Sequence, residues 1–214
     1  HKAIDGTLNR MKTDYLDLWM FHRDDTSHDV GPLIDALNKE IDDGRIRAFG
    51  GSNWTIKRIQ ECNDYASSNS KIGMCGSSPQ FSLAKAKEPY WPDTVVTDDN
   101  DKKWFEENNF LLVAWSSLGR GFFAKGDKDF TEDQDLVRVF YSEENFERKK
   151  RAIELADKKN VSMYEIAVAY VINQKFPVIA LTGAESPEEV VINTKAGSLL
   201  LSDEEINWLD LTKD

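Results

Sequence analysis

Residues 15–50 read YLDLWMFHRDDTSHDVGPLIDALNKEIDDGRIRAFG, and three segments are legible in them. Tyr15–Phe21 is a short, largely apolar run ending at His22, the pattern of a buried strand in a parallel sheet. Polar residues Arg23–Asp29 form a loop. Leu33, Ile34, Leu37 and Ile41 recur at helical spacing, and Gly44 follows as a C′ residue. Ile46–Gly50 is the next strand. A strand, a crossing helix and a second strand make a βαβ unit, the connection that parallel pairing requires.

The alternation continues outward from this unit. Thr55–Ala66 is an amphipathic helix through Ile56, Ile59 and Tyr65, and Ile72–Ser78 is a strand diluted by Gly73 and Gly76. Asp98–Asn108 reads as a helix and Phe110–Trp115 as an apolar strand. Glu144–Lys158 and Met163–Gln174 are helices, and Val178–Thr182 is a strand preceded by Pro177. Pro187–Ala196 and Asp203–Leu211 are helices, the latter with Ser202 as N-cap and Glu205 closing a capping box. Residues 1–11 read as the end of a helix with no strand before it. Strands each followed by a helix imply a parallel sheet with helices outside. Two architectures fit, a doubly wound open sheet and a β/α barrel. A closed barrel needs eight strands and about 250 residues, more than the strands read here. Pattern alone leaves the two open. There is no internal repeat, and residues 1–214 are expected to be a single domain.

Composition excludes several classes. With 38 acidic and 27 basic residues the formal charge is -11, and no basic stripe offers itself to nucleic acid. No apolar run reaches the ~18 residues of a membrane span. Without a secretory leader, and with only Cys62 and Cys75, the chain is expected in the cytoplasm with both thiols half-buried and structural. The two cysteines are not in metal-ligand spacing, and no metal is expected. Asp24-Asp25 and Asp42-Asp43 read as solvated charges. A start at His1 rather than Met points to a truncated or processed beginning.

In either architecture ligands bind at the C-terminal ends of parallel strands. The five exits carry His22; Ser52-Asn53-Trp54; Ser78-Pro79-Gln80; Trp115-Ser116-Ser117-Leu118-Gly119; and Thr182-Gly183-Ala184. Ser, Asn and Gln supply donors and acceptors without titrating, glycine admits an anion close to backbone N–H groups, and an indole offers a flat face. Each also has a structural reading taken singly: a satisfied histidine, a helix N-cap at Ser52-Asn53, a core tryptophan. Their joint placement at successive exits favours a binding face. There is no GxGxxG, P-loop, GxSxG or HExxH.

These residues stand in segments that resemble the aldo-keto reductase family. Arg10 to Asp25 resembles the stretch into its fourth strand, Asp42 to Trp54 its fifth-strand signature, and Ser78 to Leu83 its sixth-strand exit. Leu112 to Phe123 resembles the seventh, and Val178 to Ala184 with Asn193 the eighth strand and following helix. The resemblance implies a partial (β/α)8 TIM barrel of about five β/α units plus a C-terminal helix, entered at its fourth strand. It implies an NAD(P)H-dependent oxidoreductase acting on a small aldehyde or ketone. Of the family's Asp, Tyr, Lys and His, only the histidine has a match, His22, which would orient and polarise the carbonyl. The chain alone is therefore expected to be an inactive fragment.

The resemblance further implies that Ser52 and Asn53, helped by Gln80, hold the nicotinamide carboxamide. Trp115 would stack on the nicotinamide where the family usually has Tyr or Phe. Ser116, Leu118 and Gly119 would run along the diphosphate, Gly183 and Ala184 near the adenosine phosphate end, and Asn193 by the adenine. Where many members carry Arg, Lys or Gln around the adenosine ribose, this chain has Glu185 and Glu189, and Ile192 replaces a usual Glu. Carboxylates repel a 2′-phosphate and accept from a free diol, so NADH is expected over NADPH. Both glutamates facing solvent is the alternative. Tyr90, Trp91, Phe130 and Phe140 in the loops 84–100 and 125–143 would line an apolar wall. Open barrel edges imply self-association or cover by another segment. The competing function is a non-catalytic nucleotide-binding or interaction module.

Overall fold

A computed structural model describes residues 2–213. The chain divides into two compact units, the first ending at Ser78 and the second beginning at Pro79.

The first unit opens with α1 (Lys2–Met11) and continues as β1 (Leu16–Phe21), α2 (Val30–Asp42), β2 (Ile46–Ser52), α3 (Ile56–Ser68) and β3 (Gly76–Ser78). The strands are parallel, with Leu16 opposite Ile46, Phe21 opposite Gly51, and Ser52 opposite Ser78. Ile34 and Leu37 of α2 and Ile59 and Cys62 of α3 are buried with Ile46 and Phe49 of β2. Thr55 caps α3 by accepting from the Arg58 N–H at 3.2 Å. Three expectations need correction here. β1 is not buried on both faces, since only Leu16 is fully buried and the rest is partly open. β3 has three residues, because residues 72 and 74 are engaged by Asn38 and Asn63. Cys62 is wholly buried, which pushes its thiol up to about 11, whereas Cys75 is exposed.

The second unit holds α4 (Asp99–Glu107), β4 (Leu111–Ala114), a 3-10 turn (Gly119–Gly121), α5 (Phe122–Lys125), α6 (Gln134–Phe140), α7 (Glu143–Lys159), α8 (Met163–Ile172), β5 (Val178–Ala180), α9 (Pro187–Ala196) and α10 (Asp203–Leu209). β4 and β5 are parallel, with Leu112 opposite Val178. The residues of α8 from Glu165 to Val171 are all buried, as expected of a helix apolar on every side. The Ser202–Glu205 capping box forms as read from sequence. Residues 125–143, read as a loop, contain α6. Its Phe140 is completely buried against Phe122 and lines no pocket wall. Among the described residues no helix is long and apolar enough to cross a membrane.

Candidate functional site

In the first unit the exits of β1 and β2 converge on Asn53. It adopts a left-handed backbone (φ 59°), which Asn tolerates better than most side chains. Its N–H donates to the Ser78 carbonyl at 3.1 Å. Its Nδ2 donates to Ser52 Oγ at 3.0 Å and to the His22 carbonyl at 3.4 Å, while Ser52 Oγ donates to the Ser78 carbonyl at 2.9 Å. The structure thus brings His22, Ser52 and Asn53 together. The N-cap of α3 is Thr55, so capping does not account for Ser52 and Asn53. His22 is exposed and is no core histidine.

The loop after β1 is fixed by Arg58, whose Nε donates to Asp24 at 3.2 and 3.4 Å and whose Nη2 donates to the Asp25 and His28 carbonyls. Asp24 is consequently nearly buried and paired, not solvated. Asp43 is paired to Lys39 at 3.1 Å.

In the second unit Gln80 is buried. It pairs in strand fashion with Val96 and Trp115, and its Nε2 donates to Ser82 Oγ at 2.9 Å. Trp115 is half-buried. Its ring lies 5.8 Å from that of Trp91, and its Nε1–H is buried with no acceptor. Ser116 is left-handed (φ 55°), and Gly119, Arg120 and Gly121 are three left-handed residues in a row. Gly119 N–H donates to the Ser116 carbonyl at 2.8 Å, so Ser116, Leu118 and Gly119 form one tight turn. Ser117, not singled out from sequence, lies 3.0 Å from both the Ala114 and Leu181 carbonyls and ties the exits of β4 and β5.

Gly183 and Ala184 are exposed, and Asn193 Nδ2 reaches back to the Gly183 carbonyl at 3.1 Å. Glu189 accepts from the Glu185 N–H at 2.7 Å, while its own N–H donates to Ser186 Oγ at 3.2 Å. The Glu189 carboxylate is therefore engaged in shaping the turn before α9, and Glu185 is the more available of the two.

A further group has catalytic residue types but structural geometry. Tyr170 donates to Asp210 at 2.8 Å, Lys102 donates to Asp210 at 2.6 Å, and Lys85 and Lys102 both pair with Asp99. Burial, reinforced by Asp210, raises the Tyr170 hydroxyl well above the ordinary tyrosine range. Such a hydroxyl is a poor proton donor, and it lies wholly inside the core. Burial also pushes Asp99 up, but the hydrogen bonds from Lys85 and Lys102 outweigh it and hold the carboxyl at about 2.

Each unit by itself offers polar groups of the kind a nicotinamide dinucleotide can use. Amide and hydroxyl groups surround Asn53, and Trp115 carries a buried N–H awaiting an acceptor. Among the described residues no group of His, Cys, Asp and Glu is placed to hold a metal.

Comparison with known proteins gives concordant findings. The family model described as "Aldo/keto reductase family" matches residues 1–213. Norsolorinic acid reductase A of Aspergillus parasiticus is 26% identical over 209 residues, covering 97% of this chain and 51% of that protein. A thermostable aldo-keto reductase crystallised with the inhibitor epalrestat superposes with a TM-score of 0.73 at 23% identity, covering 99% of this chain and 65% of the other. An aldo-keto reductase from Klebsiella pneumoniae in complex with NADPH gives 0.71 at 23% identity, covering 99% and 63%. At these identities the structural likeness is one of fold, and the fold is that of aldo-keto reductase barrels. The chain spans about half the length of the curated relative it matches.

Proposed function

This chain belongs to the aldo/keto reductase family, and we propose that the whole protein transfers hydride between NAD(P)H and the carbonyl of a small aldehyde or ketone. The observation that carries this reading is the left-handed Asn53, bonded to Ser52 and His22 at the C-terminal ends of β1 and β2. It is supported by the NADPH complex of a fold neighbour. The bound nicotinamide supplies or accepts the hydride. Ser52 and Asn53 of the first unit, and Gln80 of the second, are the residues that would hold its carboxamide, and Trp115 of the second is the residue that would take its ring. Ser116, Leu118 and Gly119 follow the diphosphate, and Gly183, Ala184 and Asn193 the adenosine end. His22 orients the substrate carbonyl through a hydrogen bond to its oxygen. The family's proton-donating Tyr, with its Lys and Asp, has no counterpart in residues 1–214, and within this reading residues 1–214 belong to a single barrel domain. Glu185 next to the adenosine ribose favours NADH over NADPH by repelling a 2′-phosphate. The partly open β5 and the exposed Val190 and Val191 support an apolar face that is covered by another copy or another segment.

The test uses the 214-residue chain itself. Fluorescence titration is expected to show binding of both dinucleotides, with the lower Kd for NADH. Incubation with NADH and 4-nitrobenzaldehyde is expected to show no oxidation. Absence of dinucleotide binding sinks the reading. Steady turnover shows that the catalytic groups were allotted wrongly, and tighter NADPH binding removes the role given to Glu185. Binding without turnover by the complete gene product would leave the non-catalytic nucleotide-binding function instead.

A further inference from the structure

The strap of residues 84–97 in the second unit lays Trp91 over Trp115. The two ring centroids are 5.8 Å apart and the planes are inclined by 34°. Arg120 completes the stack, its guanidinium carbon lying 4.6 Å from the Trp91 ring centroid and 4.7 Å from that of Tyr90. Tyr90 packs edge-on to Trp91 at 4.8 Å.

The strap backbone is held on both sides of Trp91. Asn145 engages both the N–H and the carbonyl of Lys85, at 2.9 and 2.7 Å. Arg138 donates to the Pro89 and Tyr90 carbonyls at 3.3 and 3.0 Å, and Thr94 Oγ1 donates to the Trp91 carbonyl at 2.7 Å. Pro92 restricts Trp91 itself to extended backbone. Trp91, by contrast, is 41% exposed, and among the described residues its indole meets the Tyr90 and Trp115 rings and the Arg120 guanidinium. The fixed part is the main chain, and the part free to turn is the side chain.

Stacked rings sit about 3.5 Å apart, so a third ring between two others needs about 7 Å. The 5.8 Å between Trp91 and Trp115 does not admit one. The Trp115 face under Trp91 can accept a planar ring only if Trp91 leaves it.

We propose that Trp91 is a gate on Trp115: closed, its indole covers the face on which a nicotinamide ring stacks, and the incoming ring displaces it by side-chain rotation while the strap backbone stays in place. This rests on the reading of Trp115 as the nicotinamide platform. The closed population lowers the apparent affinity for cofactor by the fraction of time the gate is shut.

Among the described residues Trp91–Trp115 is the indole–indole contact, so its exciton couplet in circular dichroism reports the gate directly. The couplet is expected in the free 214-residue chain, absent from Trp91→Phe and Trp115→Phe, and lost as NADPH is added to the unsubstituted protein. Binding is followed independently by energy transfer from the remaining tryptophans to the reduced nicotinamide. Trp91→Ala is expected to bind NADPH about tenfold more tightly, the worth of the ring and cation contacts that close the gate. Trp91→Phe, which still covers the face, is expected to stay within about threefold of the unsubstituted protein. NADPH binding with an intact couplet, or weaker binding by Trp91→Ala, overturns the gate alone. Where NADPH does not bind, NADH is used in its place, and binding of neither dinucleotide by either protein overturns the cofactor reading and the gate with it.

Discussion

Four asparagines do in this chain what a neighbouring strand does elsewhere. Asn38 donates to the Ile72 carbonyl at 2.9 Å and accepts from the Ile72 N–H at 2.8 Å, and Asn63 treats Met74 the same way at 3.4 and 2.7 Å. Asn145 holds Lys85, and Asn173 donates to the Leu199 carbonyl and accepts from the Leu201 N–H. A side-chain amide has the donor and acceptor of a peptide group and can pair with backbone that has no ladder partner. Asn145 is completely buried and also donates to the Phe140 carbonyl at 2.7 Å. Asn145→Ala removes this partner from the half-buried Lys85 N–H and carbonyl and from the Phe140 carbonyl, and a loss of about 2–3 kcal/mol is expected. Urea unfolding monitored by fluorescence measures it. A loss under about 0.5 kcal/mol would mean that water reaches those groups. None of these roles was legible in the sequence, where a helical Asn looks like ordinary polar surface. Each partner is decided by contacts 11 to 60 residues away.

At the scale of elements, apolar spacing located most helices and strands, but not how strands approach one another. Gly50 and Gly51 looked like part of a family signature, and the reason for them appears only once β2 meets its neighbours. A Cβ on Gly50 would lie 2.3 Å from the Gly76 carbonyl oxygen, and one on Gly51 would lie 2.7 Å from the Trp54 ring. Both clashes are with close neighbours and owe nothing to unusual dihedrals. Gly50→Ala must push β3 away from β2. It is expected to cost at least about 2 kcal/mol, read from the shift in the urea midpoint, with β3 amides exchanging faster with deuterium. An unchanged midpoint would show that β3 moves freely. The helix α6 was missed although its signal was present: Asp133 precedes Leu136, Val139 and Phe140, and its side chain accepts from the Leu136 N–H at 2.9 Å. Two turns of helix inside a charged segment fall below what periodicity separates from chance.

For the molecule as a whole, the acidic charge and the exposed apolar residues pull in opposite directions. A charge of -11 opposes association at low salt. Ile179 and Leu181 are each about half exposed, as are Val190 and Val191 on α9, and these residues favour association. Screening weakens the first effect and leaves the second. Sedimentation of the 214-residue chain is therefore expected to show self-association that grows with ionic strength. A monodisperse monomer at both low and high salt would show that the β5–α9 face needs no cover.

The amino-acid sequence by itself determined the order of the strands and of most helices, the cap at Ser202, and the polar residues at the strand exits. These depend on periodicity and on neighbours within a turn, which a linear chain displays. Tertiary structure alone decided that Ser52-Asn53 joins two strand ends instead of capping a helix, and that Asp24 is paired with Arg58. It also decided that Phe140 is core, that Tyr170 and Asp210 form a buried structural pair, and that Trp91 covers Trp115. Each of those outcomes turns on which groups are brought within a few ångströms after distant segments pack, and on whether water is excluded there. Local spacing carries neither quantity.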